Sequence, residues 1–273
     1  MKRLLPIFAI TFSLFSCEDV IDLEIENSAS YLVVDGEISD RTGEKMVQLY
    51  YSNAYFDSNQ PEYISGVDIV LFENNIAVDT LVENTPGFYQ TSYVGIEGNA
   101  YHIAFSVDGE VYESVPETIN RVSEIDSIYA RFEDDNPFLD PGYYVYFDTF
   151  EPSGRGDYYR WRTYYNNEYL DDPFNIFVSD DQLVDGNPID EFQVNFEPYN
   201  AGDTVRVEQM SITQSNYEYW SLISTQTAQV GSLFDAPPAP VIGNMVCTSN
   251  SDLLVLGYFS ASAIREAEII IMP

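Results

Sequence analysis

Short runs of strand-forming residues, each closed by turn residues, recur along this chain and leave little room for a helical architecture. Tyr31 to Gly36, Lys45 to Tyr51, Val67 to Glu73, Phe88 to Val94, Ala100 to Val107 and Glu110 to Val115 are rich in Val, Ile, Tyr and Phe. They are bounded by Gly, Asn, Asp and Pro, the residues that end strands. Asp108-Gly109 between the last two runs predicts a hairpin, because both residue types accept the positive φ that a two-residue turn requires. Strand alternation then puts Tyr101, Ile103 and Phe105 on one face and His102, Ala104 and Ser106 on the other. Many short strands with regular turn signals predict a β-sandwich of the immunoglobulin or transthyretin type over residues 31–120. Gly87-Phe88-Tyr89 fits a corner in such a sandwich.

A second β-rich domain is expected over residues 121–273, after a polar junction near Pro116 to Asp126. Tyr143 to Phe150, Tyr158 to Tyr165, Phe192 to Phe196 and Thr204 to Ile212 read as its strands. Glu168 to Pro188 holds clustered acids and turn residues and reads as a long surface excursion. One helix stands out. Ser215 with Glu218 three residues on forms a capping-box pattern, and Tyr219, Leu222, Ile223 and Gln226 follow at helical spacing beside Trp220. The helix is expected to stop near Gly231, before Pro237, Pro238 and Pro240. Leu253 to Phe259 and Glu268 to Met272 are expected to close the second domain. The fold class is therefore mainly β, an N-terminal sandwich followed by a second β-rich domain with one short helix.

The N-terminus constrains the compartment. Met1-Lys2-Arg3 precedes an apolar run from Leu4 to Phe15, then Ser16-Cys17. The run is too short to cross a hydrocarbon core, which needs about 20 residues, and fits the apolar region of a secretory signal. Leu14, Ser16 and Cys17 resemble a bacterial lipoprotein signal, with residues 1–16 removed and lipid added at Cys17. The alternative is an ordinary signal peptide that leaves Cys17 as a thiol. Residues 17–30 are acidic and polar and read as a tether. In many inner-membrane lipoproteins an early Asp such as Asp19 is a retention signal; in other lipoproteins acids placed like Glu18 and Asp19 resemble an export signal to the cell surface. Two or three acyl chains would hold such a domain firmly, whereas one alone gives only marginal attachment.

The chain carries a net charge of −34. Removing residues 1–16 takes away Lys2 and Arg3 and no acid, leaving −36. That surface repels nucleic acid and anionic lipid headgroups, so membrane attachment falls to the lipid. No nucleic-acid partner is expected. Catalysis has little support. His102 is the single histidine, it lies mid-strand, and no Gly-x-Ser-x-Gly elbow is present. Cys247 reads as a small buried hydrophobe. No catalytic residue and no cofactor is assigned, and the chain is expected not to be an enzyme. Two acidic loops offer oxygen ligands of the kind calcium takes. One is Glu133-Asp134-Asp135-Asn136 with Asp140; the other holds Asp180, Asp181, Asp185 and Asp190. Neither has EF-hand spacing, and solvated acidic loops are the plainer reading. A ligand or partner surface is a further candidate. Alternation puts Tyr158, Arg160, Arg162 and Tyr164 on one strand face, an aromatic–arginine stripe of the composition common at interfaces; core packing, or arginines snorkelling along apolar surface, is the plainer reading. Tyr159, Trp161, Thr163 and Tyr165 face the core.

Cys17-Glu18-Asp19, Leu32-Val33-Val34-Asp35-Gly36-Glu37-Ile38, Ser65 to Ile69, Pro86 to Tyr89 and Ile125-Asp126-Ser127-Ile128 together resemble a family of bacterial outer-membrane lipoproteins. The C-terminal part, Phe234-Asp235-Ala236-Pro237-Pro238 through Gly243-Asn244 to Leu256-Gly257-Tyr258-Phe259-Ser260-Ala261-Ser262, carries the resemblance most specifically. It is similar to the domain-of-unknown-function family 4249. The resemblance implies a surface-exposed outer-membrane lipoprotein, often encoded beside TonB-dependent transporters, and an accessory role in ligand capture. It implies no catalytic residues. A surface adhesin or structural module without a transport role is the first alternative, and a secreted hydrolase is the second.

Overall fold

The computed structural model describes residues 30–53, 59–227 and 241–273. Cys17, Glu18, Asp19, the tether apart from its last residue, and the expected helix stop at Gly231 lie outside the described residues. Strands take up 51% of the chain and helix 8%, so the molecule is mainly β, in several open sheets with one short α-helix. No described helix is long and apolar enough to cross a membrane.

The first sheet has the order β19 (Val255–Ser262), β1 (Leu32–Ser39), β2 (Lys45–Tyr51), β7 (Phe88–Thr91), β6 (Val82–Thr85), with β3 (Glu62–Tyr63) also on β2. The second runs β18 (Met245–Cys247), β9 (Glu110–Ser114), β8 (Ala100–Val107), β4 (Val70–Glu73), β5 (Ile76–Thr80), with β10 (Glu117–Thr118) also on β8. Their inner faces share one core that includes Val34, Leu49 and Tyr89 from one sheet and Leu71, Tyr101, Ile103 and Phe105 from the other. Asp108 and Gly109 both take positive φ, 54° and 85°, as a two-residue hairpin turn demands. The Tyr89 hydroxyl donates to the Ile64 carbonyl at 2.8 Å and accepts from the Val67 N–H at 3.1 Å.

The third sheet is β11 (Ile125–Glu133), β12 (Gly142–Phe150), β16 (Pro188–Gln193). The fourth is β14 (Glu168–Tyr169), β13 (Tyr158–Tyr165), β17 (Thr204–Ile212), β20 (Ile264–Ile270), with β15 (Phe177–Asp180) also on β13. Phe147 of β12, Trp161 of β13 and Phe192 of β16 meet between them, with ring centroids 4.8 to 6.4 Å apart. Tyr159, Trp161 and Thr163 are buried, as alternation predicts, and Tyr165 is half-buried.

Three expectations are corrected. The run expected to help close the second domain, Leu253 to Phe259, instead forms β19, which lies parallel to β1 from Leu32↔Val255 to Ser39↔Ser262. Met245–Cys247 likewise joins the second sheet. Strand pairing therefore crosses the expected boundary at residue 120. An apolar run records that a strand is buried and says nothing of its partner. The stretch from Glu168 to Pro188 is structured, with β14, a 3-10 turn at Pro173–Asn175 and β15. The helix α1 (Gln214–Thr227) starts earlier than the Ser215 cap predicts. Thr213 caps it, accepting from the Asn216 N–H at 3.3 Å, while the Thr213 and Ser215 hydroxyls both donate to the carboxylate of Glu117.

The C-terminal motif is a packing device. Gly257 has φ of 89°, and a Cβ there would lie 1.9 Å from the Val34 carbonyl oxygen. Only glycine permits that approach. Asn244 bonds both backbone groups of Phe259, its Oδ1 accepting at 2.9 Å and its Nδ2 donating at 2.8 Å.

Candidate ligand cavity

A cavity of about 590 Å³ lies between the outer face of the first sheet and β13. The pleat aims Val33, Asp35 and Glu37 of β1 away from the sandwich core. Register sets Asp35 between Gln48 of β2 and Tyr258 of β19, and Val33 beside Tyr50. Arg160 and Arg162 of β13 form the facing wall, Tyr219 and Trp220 of α1 line another side, and Tyr169, Asp171 and Ile176 come from the stretch that reads as a surface excursion.

The two arginines have opposite surroundings. Arg162 donates to Glu37 Oε2 at 2.9 Å and to Glu208 Oε2 at 2.9 Å. Arg41 at 2.8 Å and Arg206 at 2.5 Å also reach Glu208. Burial alone would raise the Glu208 carboxyl; the three arginines hold it below its ordinary value. The same carboxylates push Arg162 up against its own desolvation. This network joins β1 and the turn after it to the fourth sheet.

Arg160 is only 9% exposed, and no carboxylate lies within ion-pair distance among the described residues. Its Nη2 donates to the Tyr169 hydroxyl at 2.9 Å. Its guanidinium lies 3.4 Å from the centroid of the Trp220 ring, close stacking for a cation on an aromatic face. Burial works against its charge, and Tyr169 supports it. Its remaining N–H groups are neither bonded within the described chain nor sealed from the cavity. Asp35, on the β1 wall of the cavity, is also without a hydrogen-bond or ion-pair partner among the described residues. Its carboxylate is solvent-accessible yet sits low in a concavity, so desolvation pushes its pKa up while Arg160 pulls it back. Burial, then Asp35, lifts the Tyr219 phenol to about 12, so it stays neutral.

The helix start is fastened to this wall. Glu117 is buried at 1% exposure and accepts from Tyr258 Oη at 2.7 Å, Ser215 Oγ at 3.1 Å and the Thr213 hydroxyl. Burial raises its carboxyl and these donors oppose the rise. Tyr219 then packs on Tyr258 with centroids 4.8 Å apart.

Of the expected stripe, Arg160 and Arg162 line the cavity. Tyr158 packs on Tyr217 of α1 at 5.2 Å, and Tyr164 packs on Tyr169 at 5.4 Å and under Arg206 at 3.7 Å. The face is thus covered by α1 and the β13–β14 hairpin around an open centre. The acids Asp180, Asp181, Asp185 and Asp190 do not converge. Asp180 accepts from Gln182, Asp185 accepts from the Gly154 N–H at 2.7 Å, and Asp190 is exposed. Asp181 instead joins Glu151 and Asp157, one ligand oxygen of each lying within 4.8 Å of the others. These three are where a cation would sit, though Arg121 pairs Asp157 at 3.0 Å and the Gly156 and Asp157 N–H groups occupy Asp181. Desolvation raises Glu151 to about 7. The adjoining space is about 10 Å³, the scale of a single water. His102 stacks on Phe72 at 4.6 Å, and Cys247 is buried in the sandwich core.

Sequence reasoning missed Asp35, Tyr169, and the partners Glu151 and Asp157 of Asp181 as site residues. An acid inside Leu32-Val33-Val34-Asp35 was the available signal for the first. For Tyr169 the signal was the Asn166-Asn167 turn, which folds it back beside Tyr164; Glu151 and Asp157 meet Asp181 only through the fold. A family model described as Domain of unknown function (DUF4249) matches residues 18–268. No curated protein matches the chain.

Proposed function

The chain belongs to the DUF4249 family, and we propose that it is a surface-exposed, lipid-anchored outer-membrane protein that captures a small ligand for a TonB-dependent transporter. The observation that carries the capture reading is Arg160. Burying a cation that forms no direct ion pair is costly, and here the unpaired guanidinium faces open space of the size that small-molecule clefts have, about 300–1,000 Å³. Aromatic walls and a few convergent polar groups complete the usual make-up of such a cleft. The Leu14-Ser16-Cys17 pattern supports the anchor, and the acidic surface leaves attachment to the lipid. The role is binding, with no bond made or broken.

Affinity recovery of the full chain from detergent-solubilised outer membranes tests the partnership. A TonB-dependent transporter is expected in the eluate. An eluate without one, combined with unchanged nutrient uptake and altered attachment after deletion of the protein, would assign an adhesive or structural role. Mass spectrometry of the purified chain tests the anchor and is expected to find a diacylglyceryl group on Cys17.

A further inference from the structure

Resting on the capture reading above, the cavity's charge pattern identifies a class of ligand. We infer that the cavity takes a short zwitterionic ligand, a free amino acid or an oligopeptide, with its carboxylate on Arg160 and its ammonium on Asp35. Within the described residues these two groups line one cavity and neither has an ion-pair partner; of the other charged lining residues, Lys45 donates its Nζ–H to the Tyr93 carbonyl at 2.8 Å, and Glu44 and Asp171 are exposed. Arg162 and Glu37, their neighbours on the same two strands, neutralise each other at 2.9 Å and are not available. A guanidinium with free N–H groups presents a fork that matches a carboxylate. It is already oriented by Trp220 and Tyr169, so little ordering remains to be done on binding.

Other charge types fit less well. A ligand carrying anionic charge alone meets Asp35 in the cavity, Asp171 on its lining and a net charge of −34 on the chain, all opposing approach. A cation alone leaves Arg160 buried and unpaired. A neutral glycan would stack on Trp220 yet leave both charges unanswered. A molecule bearing one charge of each sign answers both, and its body would lie against Tyr50, Tyr219 and Trp220.

Calorimetric titration of the full mature chain with the tripeptide Gly-Tyr-Gly tests the inference, using free, C-terminally amidated and N-terminally acetylated forms. The free peptide is expected to bind, and each blocked form to bind about tenfold or more weakly, the scale of one charge-assisted hydrogen bond. Arg160→Gln should bind the free and amidated forms equally. Asp35→Asn should bind the free and acetylated forms equally. Because Asp35 is exposed on the opposite wall, that variant keeps the test open if Arg160→Gln does not fold. Equal affinity of wild type for all three forms, or no binding of any of them, would overturn the zwitterion assignment. Binding of maltotriose with no peptide binding would also overturn it while leaving capture intact. Recovery of the transporter is a separate readout that this result does not move.

Discussion

One wall of the cavity holds two arginines, two residues apart on one strand, and they are built to opposite purposes. Arg162 is enclosed in a network in which Glu208 takes three arginines and Glu37 a share. Arg160 has a tyrosine hydroxyl, an indole face and open space. The first arrangement holds two halves of the molecule together; the second leaves a charge waiting. A third polar region, Glu151 with Asp157 and Asp181, sharpens the contrast. It gathers three acids, but around about 10 Å³ and with its oxygens largely engaged. In a chain this acidic, acid count does not mark a site. A charge without its partner, beside space for one, does.

The largest expected effect is at the paired end. Glu208→Gln should lower stability by about 3–5 kcal/mol, the range for removing one partner of a buried network, measured by urea unfolding. A loss under about 1 kcal/mol would put the halves' attachment elsewhere. Glu208 has its carboxyl held below the ordinary 4.5. The network therefore stabilises fully above that pH and loses its contribution as pH falls through the lowered value.

At the unpaired end the sign should reverse. Arg160→Met keeps the bulk beside Trp220 and removes an uncompensated buried cation. Its stability should lie within about 1 kcal/mol of wild type or above it, while ligand binding is lost. A drop as large as that of Glu208→Gln would show Arg160 to be a structural residue.

The acid cluster should titrate in the opposite direction to Glu208. Glu151 is raised to about 7, so its proton is retained in the folded chain after the unfolded chain has released it. Stability attributable to this group should fall as pH rises from about 4.5 through about 7. Glu151→Gln should match wild type at pH 4 and melt a few degrees higher at pH 8; equal melting at both would remove the cluster from the comparison. The smallest effect belongs to the helix beside the cavity. Thr213→Ala should cost about 1 kcal/mol, the usual loss for a cap, whereas Ser215→Ala should leave the helix start in place, with helix content read by circular dichroism.

Legibility in the sequence followed the range of the interactions. The β8–β9 hairpin was readable to the residue because Asp108-Gly109 encodes its turn locally. The face shared by Arg160 and Arg162 was readable because parity along a strand is a property of neighbours. What covers that face was not. α1 comes from residues 50 further on, and Tyr169 from a stretch whose acids and turn residues resemble a solvated loop. The parallel pairing of β19 with β1 was hidden for the same reason, since it joins residues more than 200 positions apart and leaves no periodic trace. The helix start is likewise tied to a distant residue, since Glu117, almost 100 residues earlier, accepts from both Thr213 and Ser215.

Native mass spectrometry of the full chain purified from the cells that make it, wild type beside Arg160→Gln, bears most directly on whether the cavity holds cargo. A bound small molecule in the wild type and none in the variant is the predicted outcome. An added mass present equally in both, or absent from the wild type, would contradict it.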